Sequence, residues 1–338
     1  MKAFFHHKLL SALPVIFLFT VVAKGESLKV HCNKGGTIGA AIAKVSAHSP
    51  LGPNQITVRG ACHENVSVVS LDNLTLQASK AGASISDASG GTLDTVAIGD
   101  AQRFAMNGFT INGSVDCFDN SVCRTQGNTI QNSQVGWGIR YSRSHGDSVS
   151  DVIQNSNGAG ILVVNDSRVI RVILVDDTAQ NNATHGAVVA DGGLLILTNN
   201  LTTTTISNNG YNGVTARDHA TVRLQVANIT GNGNNGVTLL EDAVLRMDFV
   251  APIVNSISNN GNSGVHVDDQ SFAFFPGDGS VVVTGNVGGI DVVCSGQFPA
   301  TRGALTNLGG GTTNCIEPVA QSAQERQSTE PARRAPLQ

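Results

Sequence analysis

Residues 208–240 read NNGYNGVTARDHATVRLQVANITGNGNNGVTLL. A Gly opens a short apolar strand at Gly213 (GVTA), and the same phrase returns at Gly236 (GVTL). Between them Val222, Leu224 and Val226 alternate with Arg223 and Gln225, the pattern of a half-buried strand. The phrase occurs at Gly138, Gly160, Gly186, Gly213, Gly236, Gly264 and Gly289, at steps of 22, 26, 27, 23, 28 and 25 residues. A period near 25 that carries strand alternation excludes paired-helix repeats. Each period holds at least two strand candidates, which hairpins would also supply. Near-identical strands recurring once per period instead stack on their own copies in the next coil, because each coil buries its apolar face only against its neighbours. The expectation is an all-β parallel solenoid of about ten coils.

The corners fit this architecture. Asn208-Asn209-Gly210, Asn234-Asn235-Gly236 and Asn259-Asn260-Gly261 supply residues that tolerate left-handed backbone, and stacked Asn side chains form amide ladders between coils. Upstream, residues 56–60, 66–70, 74–78, 95–100 and 109–113 are short β-type runs. Before them Ile38, Ala41, Ile42 and Val45 share one helix face, with Thr37 as N-cap. A short N-terminal helix there covers the open first coil.

The opening, GTIGAAIAKV followed by ITVRGACHENVSV and LDNLTLQA, resembles the start of right-handed parallel β-helix proteins of the pectin-lyase-like superfamily. Glu64, Asn65 and Val66 match that superfamily's G-x-Y-x-E-N-V segment, with Cys62 where an aromatic is usual. The resemblance spans roughly residues 35–293 and implies a right-handed parallel β-helix. It does not single out an activity, since the superfamily holds lyases, hydrolases, esterases, epimerases and non-enzymes.

Lys2 and Lys8 precede an apolar run from Leu9 to Ala23, too short for a membrane span. Residues 1–25 therefore read as a signal peptide, 26–315 as the solenoid and 316–338 as a disordered tail. The expected location is secreted or periplasmic, with no transmembrane anchor after cleavage. Six Cys in an exported chain suggest disulfides, and proximity favours Cys32–Cys62, Cys117–Cys123 and Cys294–Cys315. No C-x₂-C pair suggests zinc, so no metal is assigned. A net charge of −4 without a basic stripe argues against a nucleic-acid partner.

Counting two residues on from each repeat Gly gives an outward column of Arg140, Leu162, Val188, Thr215, Thr238, His266 and Asp291. The turns after that strand carry acids: Asp166, Asp191, Asp218, Glu241-Asp242 and Asp268-Asp269. Stacked carboxylates are potential Ca²⁺ ligands, but Asp in a turn also bonds its own backbone, and nothing supplies the remaining ligands. Asp176 and Asp177 are the weak candidates for a catalytic acid pair; adjacent strand residues point oppositely, so they share a groove only from within a turn.

The densest cluster of scarce residues is Trp137, Arg140, Arg143 and His145, where an indole and guanidiniums would stack on and pair with an acidic sugar. No second carboxylate accompanies Asp147 locally. The leading expectation is an exported protein associated with polysaccharide or cell-envelope glycan, binding without catalysis. The alternative is a polysaccharide lyase or glycoside hydrolase with a divergent site. The two differ in whether carboxylates and Arg or Lys converge within about 6 Å in an outward cleft.

Overall fold

The structure is a computed structural model that describes residues 25–164, 171–248, 254–276, 279–296, 299–303, 305 and 308–315. The segment before residue 25 that reads as part of a signal peptide, Asp166 and the residues after 315 that read as a tail lie outside the described residues. The chain is a parallel β-helix of about ten coils, with every inter-strand pairing parallel and each coil giving up to three strands to three faces. One coil shows the plan: Trp137–Ser142 lies on the first face, His145–Val149 on the second and Val152–Gln154 on the third. The first face is a ten-stranded sheet. The other two form one hydrogen-bonded sheet, because the long strands Asn54–His63 and Leu74–Ser86 bend from one face into the other.

The inward register follows from the repeat. Ile139, Ile161, Ala187, Val214, Val237 and Val265 stack in one column, each 0–1% exposed. The Gly before each of them is required by packing. A Cβ on Gly213 would sit 2.5 Å from Ile229 Cγ2 and 2.6 Å from the Gly236 carbonyl. The seventh copy departs from the expected register. Val292, not Ile290, continues the column; Asp291 takes the Gly slot, and Val293 rather than Asp291 follows His266 outward. The reason is that the Asp291 carboxylate is recruited into the corner described next. Gly289, at φ 80°, and Ile290, 38% exposed, belong to the preceding loop.

In the later coils the third strand was not read from the sequence. Thr204–Ser207, Ala227–Thr230 and Asn255–Ser258 each bury a single large aliphatic residue, Ile206, Ile229 or Ile257, too little for alternation to register. The corner after this face is built from Asn and Gly. Asn181, Asn208, Gly231, Asn259 and Gly285 take positive φ, and the next residue in each coil, Asn182, Asn209, Asn232, Asn260 or Asn286, is buried. Each of these Asn residues except the last donates both its backbone N–H and its Nδ2–H to the side-chain Oδ1 of the Asn in the next coil: Asn209 Nδ2, for example, donates to Asn232 Oδ1 at 2.9 Å. The ladder needs a final acceptor. Asp291 Oδ1 supplies it, taking Asn286 Nδ2 at 2.8 Å, while Oδ2 accepts Thr312 N at 2.9 Å. These bonds hold the Asp291 carboxyl below its ordinary pKa despite some desolvation.

The N-terminal cap is helix α1, Ile38–His48, with the Thr37 hydroxyl accepting from Ala40 N at 3.2 Å and with Ile38, Ile42 and Val45 buried. Glu64 explains its place in the E-N-V segment: its two oxygens accept Ile38 N at 2.7 Å and Gly39 N at 3.0 Å, across the positive end of the helix. Among the described residues no helix is long and apolar enough to cross a membrane.

All three expected disulfides are formed: Cys32–Cys62, Cys117–Cys123 and Cys294–Cys315. The last closes a loop with a sequence separation of 21 at the end of the solenoid. Its removal in Cys294→Ser/Cys315→Ser should lower unfolding stability by about 3 kcal/mol in the chain-entropy account. A denaturant midpoint unchanged from wild type would show that the bridge does not constrain the unfolded chain.

Candidate functional site

The outward side of the first face sets side chains from successive coils about 4.8 Å apart. Its column runs Asp116, Arg140, Leu162, Val188, Thr215, Thr238, His266 and Val293. A second column holds the residue before each repeat Gly: Trp137, Ala159, His185, Asn212, Asn235 and Ser263. In several coils these two positions pair across the strand. The Arg140 guanidinium lies 4.2 Å from the Trp137 ring centroid, Asn212 Nδ2 donates to Thr215 Oγ1 at 3.0 Å, and Asn235 Nδ2 donates to Thr238 Oγ1 at 3.0 Å.

Two clefts lie on this face among the described residues. The first, about 510 Å³, is lined by Asn65, Ser67, Asp94, Asp116, Arg140 and Arg143 among others. Asp116 is 2% exposed, and both its oxygens are held by Arg140, Nε to Oδ1 at 2.8 Å and Nη2 to Oδ2. Burial raises the Asp116 carboxyl above its ordinary pKa, and Arg140 opposes that shift. Trp137 Nε1 donates to Asp94 Oδ1 at 3.1 Å, and Ser114 Oγ donates to the same oxygen at 2.7 Å. Arg143 pairs with Asp119 at the rim, where each side chain is about half exposed. Trp137, Arg140 and Arg143 thus come together, and the carboxylates missing from their local sequence arrive from preceding coils. His145 does not join them. Arg143 adopts φ 51° and turns the chain onto the second face, where His145 lines a separate depression with Asp147 and Arg171.

The second cleft, about 650 Å³, lies two to five coils further along the same face. Thr215 Oγ1 accepts from Asn212 Nδ2 and shares a second hydrogen bond, at 3.1 Å, with His185 Nδ1, which a neutral imidazole makes as donor or acceptor according to its tautomer. Burial lowers the His185 pKa and favours this neutral form. Tyr211, 51% exposed, meets the His185 ring edge-on at 5.3 Å. His266 Nε2 is within 2.7 Å of Ser295 Oγ. Thr215, Thr238 and His266 were legible as outward residues. His185 and Tyr211 were not, although the column of residues before each repeat Gly was available to find His185.

Asp176 and Asp177 diverge. Asp176, at φ 58°, points to a loop and accepts the N–H groups of Asn200, Leu201 and Thr202 at 2.8–3.0 Å. Those bonds outweigh slight desolvation and lower its pKa. Asp177 turns inward and is 1% exposed; burial and the nearby Asp151 push its pKa up to about 8. Neither lines either cleft.

The turn acids have a backbone role. Asp191, Asp218, Glu241, Asp242 and Asp269 all take positive φ at the corner after the first face. Among the described residues no three of these carboxylates come within 4.8 Å of one another.

No family model matches the chain, and no curated protein matches it. Two solved structures from Azotobacter vinelandii are similar. The mannuronan C-5 epimerase AlgE6 A-module has a TM-score of 0.51 at 15% identity, covering 81% of this chain and 90% of that one. The AlgE4 A-module has a TM-score of 0.48 at 15% identity, covering 81% and 91%. At this identity the likeness to the AlgE6 module shows the shared parallel β-helix fold.

Proposed function

We propose that this protein is exported and binds a polysaccharide along the outward side of its first face, the sugar chain running parallel to the solenoid axis across the two clefts. The observation that carries the reading is a set of paired side chains on this face, Trp137 with Arg140 and, three and four coils further on, Asn212 with Thr215 and Asn235 with Thr238. Oriented amides and hydroxyls beside an exposed Tyr211 ring suit a ligand with many hydroxyls and apolar ring faces. Three disulfides fit an oxidising compartment. The epimerase modules of similar fold carry an enzyme name that refers to a polysaccharide, which is in keeping with a glycan ligand.

The first cleft does not favour anionic sugars, as Arg140 and Arg143 alone suggested. Asp94, Asp116 and Asp119 against Arg140 and Arg143 are three negative charges against two positive, a local net of −1. Recognition there falls to hydroxyls. Trp137→Ala, which removes the support of both Arg140 and Asp94, should weaken binding of neutral oligosaccharides by about 1–3 kcal/mol. Calorimetric affinities equal to wild type for both Trp137→Ala and Tyr211→Ala would remove this face as the binding site.

One observation favours an enzyme reading: Asp94, Asp116 and Arg140 converge in an outward cleft. Against it, Arg140 occupies both Asp116 oxygens, and among the described residues no His or Lys lines that cleft to share proton transfer. New reducing ends or unsaturated products, lost in Asp94→Asn and Asp116→Asn, would establish the enzyme.

A further inference from the structure

The second face carries an outward stripe that neither cleft uses. Arg223, Arg246, Phe274 and Arg302 occupy one outward column over successive coils, in line with the buried Ile196; Arg223 and Phe274 are half-buried. Beside it run Thr221, Val244 and Phe272. Strand alternation turns Phe272 and Phe274 outward while Ala273 and Phe275 are buried. Arg223 is engaged by Asp248, with Nε at 2.8 Å from Oδ2. Arg246 and Arg302 are exposed, and among the described residues neither has a hydrogen-bond or ion-pair partner. Among the described residues of this stripe three guanidiniums stand against one carboxylate, a local charge of +2 on a chain whose formal net charge is −4.

The spacing is regular. Arg246 and Arg302 stand two coils apart, about 10 Å along the solenoid axis, with Phe274 between them and Phe272 and Val244 alongside. Unpaired cations flanking a row of apolar side chains form a contiguous amphipathic surface rather than a scatter of single exposed residues. We propose that this stripe binds an acidic polysaccharide laid along the axis. Arg246 and Arg302 each pair with an anionic group on alternate sugars, and the phenyl rings of Phe272 and Phe274 pack against sugar ring faces between them. Arginine suits the planar carboxylate or sulfate acceptor through paired N–H donors. A chain extended over two sugars per charge matches the two-coil spacing. The acidic corner that precedes these strands lies a strand length away, about 10 Å, near the screening distance in physiological salt. A nucleic acid is disfavoured because two free cations neutralise few of its closely spaced phosphates and the rest of the chain is acidic.

The proposal is independent of the first-face reading, and one experiment separates them. The full chain is titrated with polygalacturonate, with the same polymer methyl-esterified to remove its charge, and with dextran sulfate. Wild type should bind polygalacturonate or dextran sulfate with an affinity that falls as salt rises, and should bind the methyl ester at least tenfold more weakly. Arg246→Gln/Arg302→Gln should lose tenfold or more in polyanion affinity with unchanged melting, since both residues are exposed. Phe274→Ala should lose affinity with little change in salt dependence. Trp137→Ala should leave polyanion affinity as in wild type. No binding of either polyanion, equal binding of the methyl ester, or wild-type affinity in the double Arg variant would each overturn the proposal. So would loss of polyanion binding in Trp137→Ala alone, which would return the anionic ligand to the first face. Binding of DNA or of vesicles containing phosphatidylserine more tightly than either polyanion would overturn it in favour of those partners.

Discussion

Val237→Asp is expected to leave no cooperatively folded solenoid at ordinary temperature. Val237 is fully buried between Val214 and Val265 in the inward column. An aspartate there has no cation or donor to meet it, and an unpaired buried carboxylate costs several kcal/mol even when it protonates. Domain stabilities of about 5–15 kcal/mol leave little margin. The position matters as much as the charge. A solenoid holds each coil through its neighbours, so one broken coil in the middle uncouples the two halves. Expression yield and a circular-dichroism melt check this. A variant secreted at wild-type levels and melting at the wild-type temperature would mean that the inward register is wrong.

Asp177→Asn is expected to stabilise the protein, increasingly so as the pH rises from about 4 to about 8. Asp177 Oδ1 accepts Asp151 N at 2.6 Å, whereas Oδ2 is buried without a partner. Burial and the Asp151 carboxyl raise its pKa to about 8, while burial raises Asp151 as well. The sign follows from linkage. Below the unfolded pKa, near 4, both states hold the proton and the group costs nothing. Above it the unfolded chain releases the proton and the folded chain keeps it, so stability falls by up to about 1.4 kcal/mol per pH unit until the folded carboxyl ionises too. An asparagine keeps the Oδ1 acceptor and removes the slope. The gain should amount to a few kcal/mol at pH 8 and vanish near pH 4. Urea midpoints at the two pH values decide it; a variant with the wild-type pH slope would place the titration elsewhere. The adjacent Asp176 offers a control. Its lowered pKa lies in three loop N–H donors, so Asp176→Asn should destabilise mildly at neutral pH.

The candidate site was legible in part. Arg140, Leu162, Val188, Thr215, Thr238 and His266 share a column because a strand repeats every two residues and a solenoid repeats every coil. The reading failed at Asp291, where a side chain accepting the end of the Asn ladder replaced the expected Gly. It also failed at His145, where two residues of corner separate neighbours in sequence onto different faces. The carboxylates around Trp137 lie 43 residues back at Asp94 and 24 residues from Arg140 at Asp116, beyond any local pattern.

By itself the sequence determined the solenoid, its inward column as far as Val265 and the cap helix, and proximity favoured the three disulfides that form. Each depends on a periodicity or proximity that survives in one dimension: Gly where a Cβ would strike the next coil, Asn where the backbone turns left-handed, and Cys close in the chain. Only the tertiary structure decided which charges are free. It neutralised Arg140 with Asp116, buried Asp177 beside Asp151, and left Arg246 and Arg302 unpaired among the described residues on a different face. Charge state depends on partners and burial, and in a stacked fold both are set by residues a whole coil away.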